Sequence, residues 1–313
     1  MTVLDLTKMA EIAHRVRLRV LDHTLKNKSG YMSQACSSAE ILGAIYGGAI
    51  KLGTVTEPYQ PPPFTEVPAP GKPALSGAAV YGAHAPDTDR LIISPAHYAL
   101  PVYAALIEVG RLAESALEEF NQDGSTVEMI GAEHSPGFET TTGSLSQALS
   151  QAGGIALGRR IKGDTGRTWV FMSDGEFQEG QTWEALQALS HWKLDTVRAV
   201  VDVNQAQCDG PMETVMSIEP LVDRVRAFGA SVDVVDGHDL TALSTAMTRP
   251  SDKPHVVLAY TNPTQGLPLL AEKAPMLHTL RFKSEEERER YAAAYADMKK
   301  AGPEPVTADA GKE

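Results

Sequence analysis

Thr168-Trp169-Val170-Phe171-Met172-Ser173-Asp174-Gly175-Glu176 decides the fold when set beside Val197-Arg198-Ala199-Val200-Val201-Asp202-Val203-Asn204, whose Asn stands thirty residues after Asp174. Thr168 to Met172 is an apolar run that reads as a buried parallel strand, closed by a polar turn at Asp174-Gly175. A helical segment follows, and then a second apolar run that closes on Asn204. The unit is strand–helix–strand, with one oxygen-bearing side chain at the carboxyl end of each strand. That edge of an open α/β sheet is where ligands bind. A carboxylate, an amide oxygen and a nearby backbone carbonyl suit a hard octahedral cation such as Mg²⁺, with positions left over for phosphate oxygens. Gly175 lets the backbone come close to a phosphate. Asp174 and Asn204 read as anchors for a metal–diphosphate; taken singly, each would read as a cap.

Outward from this unit the chain alternates strand and helix. The spacing of apolar residues predicts helices over 4–25 and 37–50, the second capped by Ser37 or Ser38. A strand over 90–94 leads into a helix over 97–108, with a short helix over 112–119. An irregular stretch covers 124–137, and a helix rich in Ala and Gly covers 144–160 with Ser144 as its cap. Beyond the central unit come a helix over 219–228, a strand over 230–235, a helix over 241–248 and a last strand over 255–260. This alternation implies an α/β fold, a parallel sheet wrapped by helices on both faces. Residues 53–87, rich in Pro, Gly and Ala, form a long surface loop placed to cover a subunit contact or the mouth of the site. A charged helix over 282–300 and a polar, disordered tail over 303–313 end the chain.

Composition narrows the function. With 42% hydrophobic and 22% charged residues the 313-residue chain is globular, and a net charge of −12 leaves no basic stripe for nucleic acid. No apolar run approaches the roughly eighteen residues that span a membrane. The N-terminus lacks the pattern of a signal peptide. Cys36 and Cys208 are too few for a disulfide framework and fit a reducing cytoplasm, with Cys208 read as a small buried thiol.

Asp174-Gly175 followed thirty residues later by Asn resembles the thiamine diphosphate (ThDP) enzymes. Ser173-Asp174-Gly175-Glu176-Phe177-Gln178-Glu179-Gly180-Gln181-Thr182-Trp183-Glu184-Ala185 is similar to transketolase. So are Ser94-Pro95-Ala96-His97, Thr141-Thr142-Gly143-Ser144-Leu145 and Cys208-Asp209-Gly210-Pro211, in the family's order. The resemblance covers roughly residues 10–280 and implies a ThDP-binding domain over 1–280, with 281–313 as a terminal helix and tail.

The resemblance also assigns roles. Asp174, Asn204 and the backbone of Ala206 would bind Mg²⁺ or Ca²⁺. His97, Gly143, Ser144, Leu145, Gly175 and Glu176 would line the cofactor. His97, His134 and His278 would act in catalysis, with Tyr31, His97 and His134 at the substrate. Glu179 and Glu184, which read from the residues alone as a solvated helix face, would relay protons between cofactors. Three positions depart from the pattern: Ser173 and Ala96 stand where the family carries Gly, and Tyr31 stands where it carries His. Tyr31 keeps a hydroxyl but loses an imidazole, which points to a modified donor or acceptor. Transketolases are roughly twice this length, so the resemblance implies the N-terminal subunit of a split enzyme. Such an enzyme moves a two-carbon ketol unit from a ketose to an aldose, the substrates being sugars or sugar phosphates. A C-terminal subunit would complete an α₂β₂ heterotetramer. Two alternatives share the frame: the α subunit of a 2-oxoacid dehydrogenase or decarboxylase, and a non-catalytic scaffold.

Overall fold

A computed structural model describes residues 4–65, 69–71 and 74–304. In chain order the elements are α1 (Leu6–Asn27), β1 (Ser29–Gly30), α2 (Met32–Ala44), β2 (Arg90–Ile93), α3 (Ala99–Glu108), α4 (Gln147–Lys162), β3 (Thr168–Ser173), α5 (Gly180–His191) and β4 (Val197–Val203). They continue with β5 (Ala206–Gln207), β6 (Gly210–Pro211), α6 (Met212–Val215), α7 (Leu221–Ala227), β7 (Ser231–Asp236), α8 (Leu240–Thr248), β8 (His255–Tyr260), β9 (Leu280–Arg281) and α9 (Glu285–Ala301). The main sheet has the order β2-β3-β4-β8-β7, with every pair parallel. Within it Phe171 lies opposite Val200, and Ser173 opposite Asp202.

Side-chain alternation divides the core in two. Trp169, Phe171, Val200, Val257 and Ala259 pack with α1, α2, α3 and α8. Val170, Met172, Ala199, Val201, Val256 and Leu258 pack with α4, α5 and α7. Both faces are therefore covered, which is why β3 and β4 read as unbroken apolar runs. Tyr291 of α9 joins the first of these cores.

Several expected boundaries move. Helix α2 begins at Met32, not at Ser37, and all of its residues are buried. Ser37 and Ser38 are interior positions, and Ser38 Oγ donates to the carbonyl of Gln34 at 2.6 Å. A π-helical turn, Ile45–Ala49, ends the segment. Helix α4 begins at Gln147, with Ser146 rather than Ser144 at its N-cap. His97 sits in a 3₁₀ turn, Ala96–Tyr98, ahead of α3. The Pro-rich stretch runs against the irregular segment after it: Phe64 N–H donates to Gly124 O at 2.8 Å, and Thr126 Oγ1 to Pro62 O at 2.9 Å. Cys208 is exposed, contrary to the expectation of a buried thiol. Most of the expected polar tail lies outside the described residues. Among the described residues no helix is long and apolar enough to cross a membrane.

Two charge clusters join elements, the first α1 to α2 and the second three strands of the sheet. Arg17 of α1 grips both oxygens of Glu40 of α2 at 2.6 and 2.5 Å. Burial alone would raise the Glu40 carboxyl, but Arg17 and His238 hold it down to about 2. At the amino edge of the sheet, His255 of β8 lies between Arg198 Nη1 (2.7 Å) and Asp233 Oδ2 (2.9 Å). Arg198 can only donate, so Nδ1 of His255 accepts and the neutral ring donates from Nε2. Burial and then Arg198 push this imidazole down to about 4.

As pH falls from 6.5 to about 4, the unfolded chain protonates this ring and the folded chain does not, so stability drops across that window. Urea unfolding of His255→Gln should therefore show a shallower loss of stability between those pH values than the parent. Parallel slopes for the two proteins would overturn the assignment.

Candidate cofactor and metal site

The carboxyl ends of β3 and β4 bring the two anchors together as their spacing predicts. Asp174 Oδ2 accepts from the backbone N–H of Gln205 at 2.7 Å, and Asn204 Oδ1 accepts from that of Ala206 at 2.9 Å. Gln205 has φ 57, a left-handed turn that folds the chain back over the strand end. The hairpin β5–β6 follows, pairing Ala206 with Pro211. Gln207 Nε2 donates to Gln178 Oε1 at 2.5 Å and clips this hairpin to the turn after β3.

Asp174 is almost completely buried, and among the described residues no cationic side chain pairs with it. Burial, and then the charge of Asp202, raise its carboxyl to about 8. A carboxylate in that position calls for a cation. The donor set of Asp174, Asn204 and the Ala206 carbonyl is all oxygen, as Mg²⁺ or Ca²⁺ requires. Among the described residues no group of three or more His, Cys, Asp or Glu side chains could hold a metal, so a site rich in imidazole or thiolate is not what this edge offers. A Cβ built at Gly175 would meet nothing within 4 Å, which leaves open space beside the turn.

Glu176, expected to line a cofactor, is a buried structural hub. Its Oε1 accepts from Ser94 Oγ and, at 2.9 Å, from Ser146 N. Its Oε2 accepts from Ser173 N at 2.8 Å. Its backbone carbonyl takes the hydroxyls of Ser146 and Thr182 at 2.8 and 2.6 Å. One side chain thus joins the ends of β2 and β3 to the start of α4. Ser173 and Glu176 form a reciprocal cap on the turn, so the Ser in place of Gly has a use of its own.

A second cluster lies beside the anchors. The short pair β1–β9 sets Gly30 against Leu280, and so brings Tyr31 and His278 together. Their rings meet edge to face at 5.7 Å, and His278 lies 5.2 Å from His97. Tyr31 Oη points to Met129 Sδ at 3.4 Å. Gln34 Nε2 donates to the backbone carbonyl of His278 at 3.1 Å and faces its Nδ1 at 3.2 Å. The carbonyl contact fixes which end of the Gln34 amide carries nitrogen. Nδ1 of His278 is therefore the acceptor, and the ring proton sits on Nε2. Burial, with His278 beside it, lowers the His97 imidazole to about 3, and burial lowers His278 as well. Both rings are neutral at pH 7.

The other expected site residues have surroundings of their own. His134 stacks on Phe64 at 4.7 Å and stands 3.0 Å from Glu128, and no hydrogen bond or ring contact joins it to His97. Gly143 and Ser144 are exposed, and Leu145 is half-buried, in the turn before α4. Glu179 and Glu184 are exposed at the start of α5. Sequence reasoning missed Gln34, Ser37, Tyr98, Asp202 and Thr261. Asp202 accepts from Ser37 Oγ at 2.5 Å, from Tyr98 Oη at 2.8 Å and from Thr261 Oγ1. The parity of Asp202 with Val200 on a strand buried on both faces was a usable signal.

Replacing Glu176 by Ala strands at least three buried donors. It should lower the free energy of unfolding by about 3 kcal/mol, read from urea curves. A loss under about 1 kcal/mol would show that the hub carries little.

A family model described as the thiamine diphosphate binding domain of transketolase matches residues 81–289. An uncharacterised transketolase family protein of Sinorhizobium fredii, y4mO, is 34% identical over 292 residues, covering 89% of this chain and 95% of its own length. The 6-deoxy-6-sulfo-D-fructose transketolase subunit SqwG of a Clostridium species is 28% identical over 303 residues, covering 96% of this chain and 98% of its own. The crystal structure of transketolase from Campylobacter jejuni superposes with a TM-score of 0.71 at 20% identity, over 95% of this chain. The chain spans 48% of that longer protein.

Proposed function

The chain belongs to the transketolase family, and from that premise we propose that it is the diphosphate-binding subunit of a two-chain transketolase. The enzyme would move a two-carbon ketol unit from a ketose donor to an aldose acceptor. Similarity along 98% of a protein named as a transketolase subunit supports a partner chain. The observation that carries the reading is the buried Asp174, paired with no cationic side chain among the described residues, next to Asn204 at the ends of two adjacent parallel strands.

Asp174, Asn204 and the Ala206 carbonyl would hold Mg²⁺, and through it the diphosphate, with Gly175 leaving room for the phosphate oxygens. Bound ThDP supplies a carbon nucleophile and an electron sink for breaking and making carbon–carbon bonds. His278, its proton held on Nε2 by Gln34, would donate a hydrogen bond to a sugar oxygen. His97, kept neutral by burial, serves as a second neutral donor or acceptor. Tyr31 presents a hydroxyl beside His278, where an imidazole would offer acid–base chemistry near neutral pH. This favours a donor or acceptor other than the ordinary pentose phosphates. Glu179 and Glu184, exposed on α5, would meet the partner chain in an α₂β₂ assembly.

Calorimetric titration of ThDP with Mg²⁺ into the chain co-expressed with its partner tests the reading. Binding is expected for the complex and lost in Asp174→Ala. Failure of a verified complex to bind would remove the catalytic reading. In the active complex, Tyr31→His should change the ratio of kcat/KM between two ketose donors by about tenfold. An unchanged ratio would return Tyr31 to a space-filling role.

A further inference from the structure

The hydrogen bonds around Asn204 give Tyr98 a task. Asn204 Nδ2 lies 3.0 Å from Tyr98 Oη, 3.4 Å from Ser37 Oγ and 3.5 Å from Asp202 Oδ2. Tyr98 and Ser37 each own one hydroxyl proton. Both protons point at Asp202 Oδ2, at 2.8 and 2.5 Å. What each hydroxyl oxygen has left for Asn204 is a lone pair, so the end of the amide that faces them must be the NH₂. At the other end, the N–H of Ala206 can only donate, and the atom it meets at 2.9 Å must be the amide oxygen. The two ends agree, and the amide has one orientation.

Tyr98 and Asp202 are 1% and 0% exposed, and Ser37 is 0% exposed, so water does not stand in for any of them. Phe171 packs edge to face on the Tyr98 ring at 5.2 Å, and His97 lies against it at 4.8 Å. Core packing therefore sets the position of the hydroxyl. Thr261 Oγ1 donates to the other oxygen of Asp202 and keeps that carboxylate in place. A flipped amide would set its oxygen against three buried oxygens and its NH₂ against a backbone donor. Each such mismatch in a dry site costs about 1–3 kcal/mol.

We propose that Tyr98, backed by Ser37 and Asp202, is a positioning residue that fixes Asn204 with its amide oxygen toward the bound cation. The proposal rests on the reading of Asp174 and Asn204 as cation ligands. It makes Tyr98 the reason why an amide, which presents a donor and an acceptor equally well, behaves as a dedicated oxygen ligand. Groups behind a metal ligand typically alter affinity by about 10–100-fold when removed.

The test uses the complex with its partner chain at saturating ThDP. Mg²⁺ is titrated by calorimetry into the parent, Tyr98→Phe, Asp202→Asn and Asp174→Ala. Tyr98→Phe keeps the ring in the core and removes only the hydroxyl. Asp202→Asn keeps the volume and releases the two hydroxyl protons to point at Asn204. Both should weaken Mg²⁺ by about tenfold or more. Turnover should fall at low Mg²⁺ and recover when Mg²⁺ saturates. The melting temperature of the cation-free complex should move by less than about 4 °C, which a general loosening of the fold would exceed. Mg²⁺ affinity within about twofold of the parent in both variants, with Asp174→Ala still abolishing binding, overturns the role of Tyr98. Affinity that survives Asp174→Ala overturns the ligand reading instead, so the two failures are separable.

Discussion

A parallel strand buried on both faces accepts a polar side chain in only two ways: at its end, or with every polar atom matched. That constraint organises this protein. β3 and β4 are apolar from Trp169 to Met172 and from Ala199 to Val201, with Thr168 and Arg198 at their amino ends and the acidic and amide side chains at the carboxyl edge. Asp174 and Asn204 are the strand ends. Asp202 and Glu176 are the matched interior carboxylates, each with several donors around it. The first binds the edge to α2 and α3. The second binds it to β2 and α4. Position in the sheet sets which carboxylate has only backbone donors, as Asp174 does among the described residues, and which are closed by several side chains.

How much of this was legible follows from the range of each interaction. Asp174 and Asn204 could be read because strand ends are a local signal and their spacing is that of one strand–helix–strand unit. The parallel sheet and its covered faces could be read because the apolar runs are unbroken. The start of α2 could not. Met32 to Ser38 holds Ser33, Gln34, Ser37 and Ser38, which look like a cap on a surface helix. They are instead the polar content of a wholly buried helix, each tied to its own chain or to Asp202. Glu176 belonged to a motif that suggested a ligand, but its partners Ser94 and Ser146 lie 82 and 30 residues away. His134 shares a sequence neighbourhood with the family's substrate histidine, yet its ring packs on Phe64 of the Pro-rich stretch. Membership of the transketolase family also takes precedence over the 2-oxoacid dehydrogenase alternative.

The pairing of Tyr31 with His278 shows the limit most plainly. Gln34 and His278 are separated by 244 residues, and the strands that join their neighbourhoods are two residues long. No periodicity announces a strand that short. Its effect is large, because it brings a tyrosine hydroxyl and an imidazole of known tautomer to the same rim.

The clip between β1 and β9 also divides the molecule by how its parts can change over time. The end that carries Asp174 and Asn204 is seated on the central sheet, where a new side chain must fit two packed cores at once. Tyr31 and His278 flank a two-residue ladder at the rim and are only half-buried. Substitutions at the rim are therefore cheap in folding terms while those at the strand ends are not. Under the proposed reading, a lineage carrying this architecture would hold its cofactor seat constant and let its choice of sugar drift.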